Sequence, residues 1–173
     1  MKEYDLQKLI NNPTILDERI EELMEKKLLF KQDIDKEEVK GHLLKAEHNL
    51  RFIEFISKEQ FQDWALTGCY YSCYHSALAL IQTKGYTSKN HLATLCIIIK
   101  EFYEKELSKK DIELLSNFLD YEDVLFYVET KNKREAATYS TKTTFDKSDV
   151  EKLRIQATMF VNKIKEILVE NGF

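Results

Sequence analysis

The chain has 173 residues, 43% of them hydrophobic, which supports a substantial buried core and excludes a disordered chain. Its formal net charge of −4 gives no whole-molecule attraction to nucleic acid, so any such contact must come from a local patch. One Pro and four Gly favour long helices joined by short connections.

Residues 3–11 can form a short turn of helix with Leu6, Leu9 and Ile10 on one side. Asn12-Pro13 breaks it, and Thr14 with Asp17 reads as a capping box for an amphipathic helix carrying Ile20, Leu23, Met24 and Leu28. Asp35 is placed to cap a long helix running to about Ser57, whose apolar stripe is Leu43, Ala46, Leu50, Ile53 and Ile56. His42, His48 and Arg51 fall mainly on its wetter side.

The stretch from Phe61 to Ile81 then carries no charge after Asp63 and is apolar or small on every side. A helix of that kind belongs in the middle of its domain, packed as an antiparallel hairpin with its predecessor. Gly68, Ser72 and Ala79 would let another backbone approach. Tyr70, Tyr71, Tyr74 and His75 bring polar tips that need partners. Gly85 should end the helix, and Ser88 should cap another reaching about Glu106 with Leu92, Leu95, Cys96, Ile99, Phe102 and Tyr103 inward.

Ser108 and Asp111 form a further capping box, followed by the apolar series Leu114, Leu115, Phe118, Leu119, Leu125 and Val128. From Lys131 to Lys147 periodicity disappears, as expected of a connection that is functional or mobile. Ser148 with Glu151 opens a last helix bearing Val150, Leu153, Ala157, Phe160, Val161, Ile164, Ile167 and Leu168, closed by Asn171-Gly172. No stretch alternates like a strand. The fold class is all-α: an antiparallel up-down bundle of four to five long helices over residues 35–173, with an added helical segment over residues 1–34.

Cys69, Cys73 and Cys96 are odd in number and include no Cys-x-x-Cys pair, so they read as free thiols of a reducing compartment and not as a zinc site. The N-terminus is charged and polar, and no apolar run approaches membrane-spanning length, so a cytoplasmic protein is expected. No His has Glu three residues before it, which removes the di-iron carboxylate pattern of helical bundles, and no phosphate loop, zinc-protease signature or nucleophile elbow is present. No metal or cofactor is therefore expected. The candidate chemistry lies elsewhere. His75 sits mid-helix among Tyr and Ser, as a base or as a hydrogen-bonded core histidine. His91, near a helix start, can be a base, an acceptor or a surface histidine. Lys131-Asn-Lys133-Arg134 is the sharpest basic cluster, where Arg134 could clamp a phosphate bidentately and Tyr139 could stack on a base. A solvated basic loop is the plainer reading of the same residues.

With those residues in view, the chain resembles the HEPN domain family over roughly residues 40–170. The resemblance is carried by Ala65, Tyr70-Tyr71-Ser72-Cys73-Tyr74-His75-Ser76-Ala77-Leu78-Ala79-Leu80, then Lys84-Gly85-Tyr86, Lys89-Asn90-His91, and Arg134-Glu-Ala-Ala-Thr-Tyr139. It implies a helical bundle that usually dimerises across a face including the Arg segment. Many members are metal-independent endoribonucleases, often toxins paired with a nucleotidyltransferase antitoxin or parts of antiviral defence. Their motif is an Arg followed within a few residues by His. The His would take the ribose 2′-hydroxyl proton and the Arg would stabilise the charged phosphorane.

This chain departs from the motif, because Tyr139 stands where that His is expected and no His follows it. A phenol with a pKa of about 10 is a poor general base near neutrality. Two functions follow as expectations. One is a homodimer that binds RNA, a nucleotide or a nucleotidyltransferase-like partner without cleavage, through Lys131, Lys133, Arg134 and Tyr139, with Tyr71 and His75 in support. The other is a metal-independent endoribonuclease in which Arg134 holds the phosphate and His75 or His91 is the base. A helical scaffold whose tyrosines only satisfy core hydrogen bonds is the third.

Overall fold

A computed structural model describes residues 3–59, 61–119 and 147–173. In chain order they form α1 (Glu3–Asn11), α2 (Pro13–Glu25), β1 (Leu29–Lys31), α3 (Lys36–Ile56), α4 (Gln62–Gln82), β2 (Tyr86–Ser88), α5 (His91–Phe102), α6 (residues 109–119) and α7 (Lys147–Glu170). The all-α class holds, with one small addition.

That addition is a two-stranded antiparallel sheet in which Leu29 pairs Ser88, Phe30 pairs Thr87 and Lys31 pairs Tyr86. Strands of three residues are too short to show an alternating pattern, which is why the sequence predicts none. The sheet also moves a cap. Ser88 lies in β2 and only braces the turn, its Oγ accepting from the Asn90 N–H at 3.1 Å. Asn90 is the N-cap of α5, its Oδ1 accepting from the Ala93 N–H at 3.1 Å. His91 is consequently the first residue of the helix and not the third. At α2 the cap is Asn12, which accepts from the Ile15 N–H at 3.2 Å with Pro13 in the first turn, so Thr14 is already helical. α7 is described from Lys147, and Ser148 and Glu151 lie in its first turns.

Other caps stand as predicted. Asp35 Oδ1 accepts from the Glu37 and Glu38 N–H groups at 2.9 and 3.2 Å. Ser108 and Asp111 bond reciprocally, the Ser108 N–H reaching Asp111 Oδ2 at 2.7 Å. Gly85 and Gly172 take the left-handed backbone, at φ 72° and 82°, that ends α4 and α7.

α4 is the axis of the domain. From Ala65 to Gln82 most of its residues are buried, including Cys69, Tyr70, Cys73, Ala77 and Ile81. α3 runs antiparallel along it, with Ile53 against Gly68 at one end and His42 against His75 at the other. A Cβ built on Gly68 would lie 2.6 Å from Ile53 Cγ1, so the missing side chain is what lets the two backbones come this close. α7 covers a second side of α4 and runs opposite to α3, joined to it by Lys165–Glu47 at 2.6 Å and by Lys36 Nζ donating to the Gly172 carbonyl at 3.0 Å.

The N-terminal segment packs on the same body. Leu6, Leu9, Leu16, Ile20, Leu23 and Leu29 are buried in one apolar core with the residues of α4, α5 and α7. Lys100 on α5 pairs with Asp17 on α2 at 2.7 Å. Beyond β1, the Gln32 N–H donates to the Gly85 carbonyl at 3.0 Å. Among the described residues no helix is long and apolar enough to cross a membrane, and no three His, Cys, Asp or Glu residues are grouped to hold a metal.

Candidate functional site

The uncharged face of α4 turns outward at one stripe, and the site forms there. Trp64, Gly68, Tyr71 and His75 recur at three- and four-residue spacing along the helix, so they share a face, and Phe61 at the N-cap position leads into it. Gly68 is covered by α3, but Phe61 is 52% exposed, Trp64 56% and Tyr71 41%. Large rings half in water on one helix face are uncommon unless something lies against them.

At the inner end of the stripe, side chains of three helices meet. His42 of α3 and His75 of α4 approach through their ring edges, with Nδ1 atoms 3.1 Å apart, ring centroids 5.3 Å apart and planes inclined by 30°. The Tyr71 and Tyr74 rings lie beside His75, with centroids 6.3 and 6.2 Å from it. Tyr70 is almost wholly buried, and its hydroxyl is hydrogen-bonded to His91 Nε2 at 2.7 Å. Tyr74 meets the His91 ring edge-on at 4.6 Å and stacks with Tyr70 at 5.8 Å. A buried phenol needs a partner, and Asn90 fixes the helix start that presents His91 to it.

The two histidine environments differ. Burial, then the neighbouring His42, then Lys45 lower His75 to about 4, so its imidazole is neutral at neutral pH. His42 is also lowered, by burial first, although the Glu38 carboxylate one turn earlier works in the opposite direction. A hydrogen bond between two Nδ1 atoms needs a proton on one and a lone pair on the other, so with both imidazoles neutral the two rings hold different tautomers.

Of the residues singled out from sequence, the structure brings His75 and Tyr71 together, and places His91 in the adjoining group bridged by Tyr70 and Tyr74. Arg134, Lys131, Lys133 and Tyr139 lie outside the described residues. His42 was missed, having been assigned to the wet side of α3. Its signal was present: 42, 46, 49 and 53 follow one helical stripe, and Ala46 and Ile53 on it are fully buried.

Residues 39–167 match the family model described as HEPN domain. The chain belongs to the HEPN domain family. Two proteins of Methanocaldococcus jannaschii, each named "Putative toxin", are similar along most of the HEPN chain. One is 30% identical over 137 residues, covering 79% of this chain and 86% of its own length. The other is 29% identical over 148 residues, covering 83% of this chain and 98% of its own. The matched region begins inside α3 and ends inside α7, so His42, Tyr70, Tyr71, Tyr74, His75 and His91 all fall within the HEPN portion.

Proposed function

We propose that this HEPN protein is of the toxin type and acts on single-stranded RNA, which it binds along the exposed aromatic stripe of α4. The observation that carries the reading is the run Phe61, Trp64 and Tyr71, half exposed and leading to the His42–His75 pair. Bases stack on such rings whatever their identity, at about 1–3 kcal/mol for each. Stacking also suits a chain of net charge −4, which gains little from long-range attraction. The names of the two archaeal relatives support the toxin setting. Arg134, with Lys131 and Lys133, supplies the phosphate contact in this reading, and a homodimer with a nucleotidyltransferase-like partner completes it.

Trp64 is the chain's single tryptophan, so its fluorescence reports the stripe alone. Titration with an unstructured oligoribonucleotide should quench it. Trp64→Ala and Tyr71→Ala should each weaken binding, read by anisotropy of a labelled RNA, by roughly 5- to 150-fold at about 1–3 kcal/mol per ring. Unchanged affinity in both variants would refute the stripe as the RNA surface. If wild type associates with a partner chain and not with RNA, the stripe is a protein interface.

A second reading, metal-independent RNA cleavage with Arg134 on the phosphate, is favoured by one observation. His75 is neutral and its Nδ1 is held by His42, which leaves its Nε2 directed away from that bond. Cleavage of labelled RNA in EDTA by wild type, lost in Arg134→Ala, is the result expected of it.

A further inference from the structure

We infer that His42 and His75 form a hydrogen-bonded, tautomer-locked pair that serves as joint base and acid for cleaving an RNA phosphodiester. The inference rests on RNA binding at the adjoining stripe and adds to it the group that does the chemistry. The Nδ1 atoms stand 3.1 Å apart, so one ring carries Nδ1–H and the other an Nδ1 lone pair. The ring with Nδ1–H then has a basic Nε2, and its partner has an Nε2–H. The pair thus offers one proton acceptor and one proton donor, joined by a hydrogen bond. A lone histidine offers only one of these at a time.

The surrounding groups assign the roles. Glu38 stands one turn before His42 on α3 and favours positive charge there, even while its carboxylate accepts from Gln32 Nε2 at 3.0 Å. The charge of Lys45, also on α3, disfavours charge on His75. Tyr71 and Tyr74 lie against His75 without ionising near neutrality. Partial positive charge that builds up during proton transfer is better borne by His42, which is therefore the base, with His75 the acid.

The step balances without metal or co-reactant. His42 Nε2 takes the 2′-hydroxyl proton as O2′ bonds to phosphorus and the P–O5′ bond breaks. The Nδ1 proton of His42 passes to His75 Nδ1, and the Nε2 proton of His75 goes to the departing O5′. The products are a 2′,3′-cyclic phosphate and a 5′-hydroxyl. Each imidazole ends neutral in the opposite tautomer, and exchange with water restores the first arrangement. No full imidazolium has to accumulate, so burial that opposes charge on both rings does not oppose this route.

Replacement by Asn separates the roles, because an Asn amide can occupy the place of Nδ1 and keep the hydrogen bond while removing Nε2. Cleavage of 5′-labelled single-stranded RNA in EDTA, with binding followed by anisotropy, is the test, on the full chain. Wild type should cleave, leaving cyclic phosphate ends. His42→Asn and His75→Asn should each lose about 100-fold or more in rate, the usual share of acid–base catalysis, with RNA affinity retained. If His42→Asn cleaves like wild type, the joint role falls and His42 merely orients His75. Binding without cleavage by wild type also overturns the pair while leaving the RNA-binding reading intact. Failure to bind RNA removes both. Independently of activity, long-range 1H–15N spectra at pH 7 should show His42 as the Nδ1–H tautomer and His75 as Nε2–H. Two Nε2–H imidazoles would overturn the pair.

Discussion

Gly68→Ala is the sharpest perturbation of the α3–α4 contact. In an open helix the change stabilises by about 1 kcal/mol, because Ala loses less backbone freedom than Gly. At position 68 the new Cβ meets Ile53 Cγ1 at 2.6 Å and Cδ1 at 3.3 Å. Ile53 is fully buried, and Cγ1 is the near part of its side chain, so the clash cannot be relieved by swinging a free end into solvent. Overpacking of a core contact costs typically about 1–3 kcal/mol, which outweighs the propensity gain or at least cancels it. Gly41, in α3 with nothing within 4 Å of its own virtual Cβ, supplies the control. Urea unfolding should show Gly41→Ala stabilised by about 1 kcal/mol and Gly68→Ala destabilised by a similar amount, a difference near 2 kcal/mol. Adding Ile53→Ala should make Gly68→Ala favourable again, because the clashing atom is gone. Gly68→Ala behaving like Gly41→Ala would refute the claim that the glycine sets the helix spacing.

Gly85→Ala forces a left-handed residue to carry a Cβ 2.8 Å from the Gln32 carbonyl, so a loss of roughly 2 kcal/mol is expected, with faster hydrogen exchange at Gln32. Asn90→Ala removes the cap that presents His91 and should cost about 1 kcal/mol in urea unfolding, whereas Asn90→Asp should not. Burial pushes the Cys69 and Cys96 thiols up to about 12 and raises the Cys73 thiol as well, so Ellman's reagent at pH 8 should find no fast thiol in the native protein and three after unfolding. His75 is held near 4, below its ordinary value, chiefly by burial and then by His42 and Lys45. The unfolded chain therefore takes up this proton first, and stability should fall as pH drops from about 6.5 to about 4 and level off below that. His75→Asn should flatten that part of the pH profile. An unaltered profile would show that the proton uptake lies elsewhere.

The sequence reveals α4 plainly because burial on all sides leaves a residue-by-residue mark: no charge between Asp63 and Lys84. Its polar tips were legible too, since a phenol or imidazole inside an apolar run must find a partner. Which partner was not legible. Tyr70 finds His91 and His75 finds His42, and these pairings depend on how α3 and α5 are rotated against α4. The mistaken side of His42 has the same origin: a histidine among charged residues looks solvated until the helix it packs against is placed. The caps at Asn12 and Asn90 lost to Thr14 and Ser88 because several small polar residues compete at each helix start, and the chain path into the helix decides among them.

The small sheet has a consequence beyond its size. Leu29, Phe30 and Lys31 lie before the region that matches the HEPN model, yet they pair with β2 in the link between the two helices that carry His75 and His91. A chain begun at residue 35 would keep every residue of the candidate site. It would also bare an unpaired strand edge at Tyr86–Ser88 and the apolar seat of Leu29, side by side. Such an edge recruits strands from other molecules. The N-terminal segment covers that edge, so a chain begun at residue 35 should aggregate more readily than the full chain, although it spans the HEPN match.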